Sequence, residues 1–158
     1  MITDYLDESL IWLQREYHNR DQLFYDCAEK LYKEGFVEKD YYHALTKREN
    51  EFPTGLDMEE YAVAIPHANP DVIKKDFIVA LTLKKPVKMR KMDDASTEVD
   101  VKTFFLLGLK ESNSHLVVLR EFINMIQCKE VIDIIEKTNS TAAIVEVIEE
   151  YCNKEDKN

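Results

Sequence analysis

The chain has 158 residues, of which 45% are apolar and 33% charged, and its formal net charge is −10. That length suits one domain with a sizeable core, and the charge argues against binding to nucleic acid or to an anionic lipid surface. No apolar run approaches the roughly 20 residues that span a bilayer, and Asp4, Asp7 and Glu8 interrupt any leader-like N-terminus.

The acidic residues are spread along the chain (Glu49 and Glu51, Glu59 and Glu60, Asp93 and Asp94, Glu146 to Glu150) and read as solvated surface charge. Cys27, Cys128 and Cys152 form neither a CxxC pair nor a zinc spacing. A cytoplasmic protein with reduced thiols is therefore expected. Cys27 and Cys128 fall in helical patterns as packing residues, and Cys152, beside a polar tail, is placed at the surface.

In chain order, residues 9–13 read as a short first strand. From Asp21, Leu23, Phe24, Cys27, Ala28 and Leu31 recur at helical spacing, and Gly35 stands where a C-terminal glycine cap belongs. Tyr41, Ala44, Leu45 and Arg48 share one face of a second helix, which Pro53 must end. A short apolar strand follows at 61–65, with Glu59 and Glu60 in its lead-in. Residues 77–83 and 101–109 are nearly continuous apolar runs, as in strands covered on both faces. Between them, 84–100 carries a proline and many lysines, arginines and aspartates, and reads as an exposed loop with at most a short edge strand near Val87. Helical patterns occupy 116–126, 130–136 and 141–150, and 153–158 is a polar tail expected to fray. Strands mixed with helices in this order predict a single-domain α/β protein over 1–158, with its core at about 8–151.

Three segments carry the chemistry. In Ala64-Ile65-Pro66-His67-Ala68, Pro66 locks its own φ and biases Ile65 toward extended backbone, so His67 is presented on a stiff strand end. Its reference pKa of about 6.5 leaves much of it neutral and nucleophilic at pH 7. Arg48-Glu49-Asn50-Glu51-Phe52-Pro53-Thr54-Gly55 places an arginine in a last helical turn before a proline–glycine turn. Ser112-Asn113-Ser114-His115 opens the amphipathic helix at 116–126 and offers Asn113 and Ser114 as caps. Taken singly, each segment is equally compatible with a bland role: a loop histidine, a surface arginine favoured by the helix dipole, a polar first-turn residue. His18 and His43 match no motif and read as solvated. No metal-ligand spacing supports a zinc site, and no cofactor motif is present.

Together the three segments, in order and at matching spacing, resemble the type-2 enzyme IIA domain of the bacterial phosphoenolpyruvate-dependent sugar phosphotransferase system. The branch is that of fructose, mannitol and galactitol, with a lean toward galactitol in the wording around Phe52 to Leu56 and Ile65 to Ala68. The resemblance implies a mixed central sheet with helices on both faces. It also implies that His67 takes a phosphoryl group from phospho-HPr and passes it to a cysteine of a IIB component, with the membrane IIC component meeting the sugar later. Arg48 would clamp phosphate oxygens with its planar fork of donors, and His115 would complete the site. Glu59-Glu60-Tyr61 depart from the glycine-containing lead-in of many members, which touches the pocket entrance and no catalytic group. No IIB cysteine motif or membrane segment is attached, so separate partners are expected. A regulatory module, whose phosphorylation state controls a partner without feeding a sugar, would carry the same three residues.

Overall fold

The two apolar runs belong to longer strands, the first to one of twice its length. In a computed structural model, which describes residues 1–156, strand β4 spans Phe77–Arg90 and β5 spans Glu98–Gly108. They form one antiparallel hairpin paired from Phe77↔Gly108 to Arg90↔Glu98. The loop expected over 84–100 is thus confined to the turn at 91–97. Its charges are the outward half of a period-2 pattern: Val87, Met89 and Val101 are buried, while Lys88, Arg90 and Asp100 face water. Lys88 Nζ meets Asp100 Oδ1 across the strands at 2.9 Å. Pro86 lies within the register shift between Thr82 and Val87, where a missing N–H is tolerated.

Around this hairpin, β1 (Ile11–Arg15) lies parallel to β4, and β3 (Ala62–Ala64) lies parallel to β5. A strand not expected from the sequence, β2 (Gly55–Asp57), pairs antiparallel with β3 and completes a mixed sheet of order β1-β4-β5-β3-β2. Two strands start later than their sequence patterns suggest. Ser9 and Leu10 belong to a 3-10 turn, with β1 beginning at Ile11. Glu59, at φ 73°, and Glu60 form the β2–β3 turn, so the strand before His67 starts only at Ala62.

Apolar residues on consecutive strand positions pack on opposite faces. Val79, Leu81, Phe104 and Leu106 meet α1 (Arg20–Lys33) and α2 (Tyr41–Glu51). Ile78, Ala80, Phe105 and Leu107 meet α3 (Ser112–Ile126), α4 (Lys129–Lys137) and α5 (Thr141–Asp156). Helices cover both faces, as expected of an uninterrupted apolar run.

Helix ends follow local chemistry. Gly35, at φ 81°, closes α1 with Gly35 N–H donating to Tyr32 O and Phe36 N–H to Leu31 O, the paired bonds of a left-handed glycine cap. Pro53 ends α2 as expected. Helix α5 continues through residues expected to fray, to Asp156; 157 and 158 lie outside the described residues. Cys152 is buried at 7% exposure because it lies on the inner face of α5, and Cys128 is the residue preceding α4, half-buried.

Candidate functional site

The site forms where three chain segments meet at one edge of the sheet. Strands β3 and β5 run parallel, and their carboxyl ends stop side by side. Beyond β3 the chain continues through buried Ile65 and Pro66; Leu107 N–H donates to Pro66 O at 3.1 Å, and His67 bridges to Leu107. Beyond β5, residues 109–111 lead directly into α3, whose first turn carries His115. On the other side, α2 ends with Arg48 in its last turn and delivers the chain to Gly55, which pairs with Ala64 at the end of β3. Crevices beyond the carboxyl ends of parallel strands are where α/β sheets bind ligands.

The three expected site residues converge. The His67 and His115 ring centroids are 4.9 Å apart, edge to face. Arg48, His67 and His115 line one open depression of about 260 Å³ with Ala68, Asn69, Pro70, Ser112 and Leu116. No carboxylate contributes to that lining, although the chain carries a net charge of −10. Arg48 Nε is shielded from solvent and has no hydrogen-bond partner among the described residues. Its guanidinium carbon lies 4.5 Å from the Phe52 ring centroid, a cation–π contact that supports the head group without using its donors. A permanent cation with an unpartnered donor, in a depression that no carboxylate lines, suits an anion.

His67 Nδ1 lies 2.8 Å from the Ile65 carbonyl oxygen. A carbonyl only accepts, so Nδ1 carries the proton and Nε2 keeps its lone pair. Burial pushes the His67 pKa down to about 4; the bond to Ile65 acts in the opposite sense, and His115 and Arg48 lower it further. The His115 pKa is also lowered, by burial and then by Arg48. Both rings are neutral near pH 7, one of them with a defined tautomer. Asn113 and Ser114 do not cap α3: Glu111 holds the N-cap position without a side-chain bond, which leaves the first-turn N–H groups of a 15-residue helix beside the two histidines. His18 and His43 are exposed and lie outside the depression.

Beside the site, the sequence reading misplaces Glu49. Glu49, counted among the solvated charges, is 2% exposed; its carboxylate accepts from Thr54 N–H and from the Thr54 hydroxyl, both at 2.7 Å. The signal was available, because Tyr41, Leu45 and Glu49 continue a single i, i+4 row, the buried stripe of α2.

Comparison with known proteins places the chain in a family. Residues 4–151 match the family described as phosphoenolpyruvate-dependent sugar phosphotransferase system, EIIA 2. The galactitol-specific EIIA component of Escherichia coli K12 is 27% identical over 115 residues, 73% of this chain and 76% of that protein. The transcriptional regulator ManR of Bacillus subtilis is 37% identical over 79 residues, which are 50% of this chain and only 12% of ManR. Among solved structures, the mannitol IIA of E. coli superposes with a TM-score of 0.74 at 23% identity, covering 90% of this chain and 98% of that one. Its complex with phosphorylated IIB gives the same TM-score at 22% identity, covering 90% of this chain and 96% of that one. The chain therefore belongs to the EIIA 2 family of the phosphoenolpyruvate-dependent sugar phosphotransferase system, in the fructose, mannitol and galactitol branch.

Proposed function

We propose that this protein is a cytoplasmic histidine phosphocarrier: His67 accepts a phosphoryl group from phospho-HPr and donates it to the cysteine of a IIB component, upstream of a membrane IIC. The observation that carries the reading is the neutral, Nδ1-protonated His67 ring in a depression that holds Arg48 and no carboxylate. Phosphoryl transfer asks a protein for positioning and charge neutralisation above all. In the first transfer, the Nε2 lone pair of His67 forms a P–N bond as the P–N bond to the donor histidine breaks, and the donor ring leaves with that electron pair. In the second, a IIB thiolate sulfur forms an S–P bond while the His67 N–P bond breaks. Nδ1–H stays on the Ile65 carbonyl throughout, so no proton has to leave His67. Arg48 binds the equatorial oxygens, and His115 with the first turn of α3 faces the same charge.

The test is incubation with phospho-HPr, followed by a purified IIB. Wild type should gain one acid-labile phosphoryl group and pass it on, and His67→Ala should gain none. Full labelling of His67→Ala would overturn the assignment.

A second reading rests on the ManR similarity: a regulatory IIA-like module, phosphorylated at the same His67, whose state controls a partner protein. It predicts labelling by phospho-HPr without onward transfer to any IIB encoded beside the gene.

A further inference from the structure

The carboxylate of Glu49 lies one residue from Arg48 and two hydrogen bonds from the backbone that orients His67. Both its oxygens are taken by Thr54, through N–H and Oγ1 at 2.7 Å each. Thr54 O accepts Ile65 N–H at 3.3 Å, and Ile65 O accepts from His67 Nδ1 at 2.8 Å. From the other side the same turn is held by the β4–β5 hairpin: Gly55 O accepts Met92 N–H at 2.8 Å, and a Cβ on Gly55 would meet Arg90 O at 2.6 Å. The turn between α2 and β2 is thus fixed at both ends, with the Glu49 carboxylate as its anchor on the helix side.

Building on the phosphocarrier reading, we infer that Glu49 is a positioning residue: by clamping Thr54 it sets the Arg48 guanidinium and the His67 ring in register with each other. A position required only for packing would be met at lower cost by an apolar residue continuing the Tyr41–Leu45 stripe, because burying a carboxylate is unfavourable. A carboxylate gains something an apolar side chain lacks. Two acceptors on one rigid group fix both the distance and the orientation of Thr54, and through Ile65 the tautomer of His67. Arg48, on the adjacent residue of the same helical turn, moves with the anchor. Small displacements of such groups cost large factors in rate, since transfer needs in-line geometry at the reacting nitrogen.

The test compares Glu49→Ala, Glu49→Gln and Thr54→Val with wild type in three measurements. These are the 15N shifts of the His67 ring, the single-turnover rate of phosphoryl transfer at saturating phospho-HPr, and the thermal midpoint. Wild type should show a single Nδ1–H tautomer. Glu49→Ala should give a tautomer mixture and a rate lower by about tenfold or more, with apparent donor affinity within about twofold. Glu49→Gln should recover most of both, because its amide oxygen accepts Thr54 N–H and its NH₂ can donate to the Thr54 hydroxyl. Wild-type tautomer and rate in folded Glu49→Ala would overturn the inference, and so would a rate loss that Glu49→Gln fails to restore. Should Glu49→Ala not fold, Thr54→Val, which removes one of the two clamp bonds, makes the same comparison with a smaller shift in the same direction. If wild type accepts no phosphoryl group, the functional reading fails, while the tautomer comparison still decides the role of Glu49.

Discussion

The two histidines of the site stand on supports of different kinds. His67 extends a strand: it bridges to Leu107, follows a buried proline, and has one ring nitrogen bound to the Ile65 carbonyl. His115 projects from the first turn of α3, where the N-cap Glu111 makes no side-chain bond and the neighbouring Leu116 is 57% exposed. One ring is locked in place and tautomer; the other is carried on a first helical turn whose N-cap makes no side-chain bond. The difference fits a division of labour in which the nucleophile must hold in-line geometry through two successive transfers, while the second ring follows charge that arrives and leaves.

The sharpest way to break that comparison is to remove each ring in turn. His67→Ala should abolish phosphoryl incorporation from phospho-HPr, while His115→Ala should slow it by about a hundredfold or more, as loss of one donor at a charged transition state does. Equal loss in both variants would erase the distinction. Next comes Arg48→Lys, which keeps the charge and discards the bidentate fork. Its transfer rate should fall by about a hundredfold, or roughly 3 kcal/mol, with the thermal midpoint unchanged. Near-wild-type rates would mean that the phosphate clamp lies elsewhere.

Protonation tests the locked ring directly. The folded His67 pKa of about 4 lies below the unfolded value of 6.5, so unfolding takes up a proton between these two pH values. The neutral ring's contribution is fully present above pH 6.5 and is lost as pH falls toward 4. Wild type should lose stability against His67→Gln across that window by up to about 3 kcal/mol. A difference independent of pH, in chemical denaturation at stepped pH, would contradict the buried neutral ring. Glu49 titrates in the opposite sense, since burial raises its pKa, but it is common to both proteins and cancels in the difference.

The smallest effects separate the two supports mechanically. Behind His67, a Cβ on Gly108 would meet Phe77 Cε1 at 2.1 Å. Gly108→Ala should therefore destabilise the fold by roughly 1–3 kcal/mol. Leu116→Ala, on the exposed first turn of α3, should stay within about 0.5 kcal/mol of wild type. Denaturant midpoints for the pair would settle whether the strand end is the stiffer support.

Much of this was legible in one dimension because the signals are local. Pro66 before His67, Gly35 after α1 and the double-sided apolar runs of β4 and β5 each impose their structure through backbone sterics or hydrophobic period. The errors also share a cause. In residues 84–100 charge density outweighs the Val87–Met89 alternation in one dimension, and a paired strand stabilises such a polar outer face where an isolated segment would not. Strand β2 is three residues long and exists only because β3 lies beside it. Residue type and position point Glu49 and Cys152 to the surface, but the element packed against each decides its burial.

What the sequence determined by itself was therefore the set of elements with strong period or caps and the chemical character of three segments: a proline-presented histidine, a helix-end arginine and a helix-start histidine. Only the tertiary structure decided that these share one depression, because their convergence depends on strand order. Placing β3 between β5 and β2 puts the end of α2, the end of β3 and the start of α3 at one sheet edge, and strand order is set by long-range pairing that no local pattern encodes. The tautomer of His67, the burial of Glu49 and the open Arg48 donor are consequences of that meeting, since each depends on which carbonyl, hydroxyl or void a distant segment brings within hydrogen-bond distance.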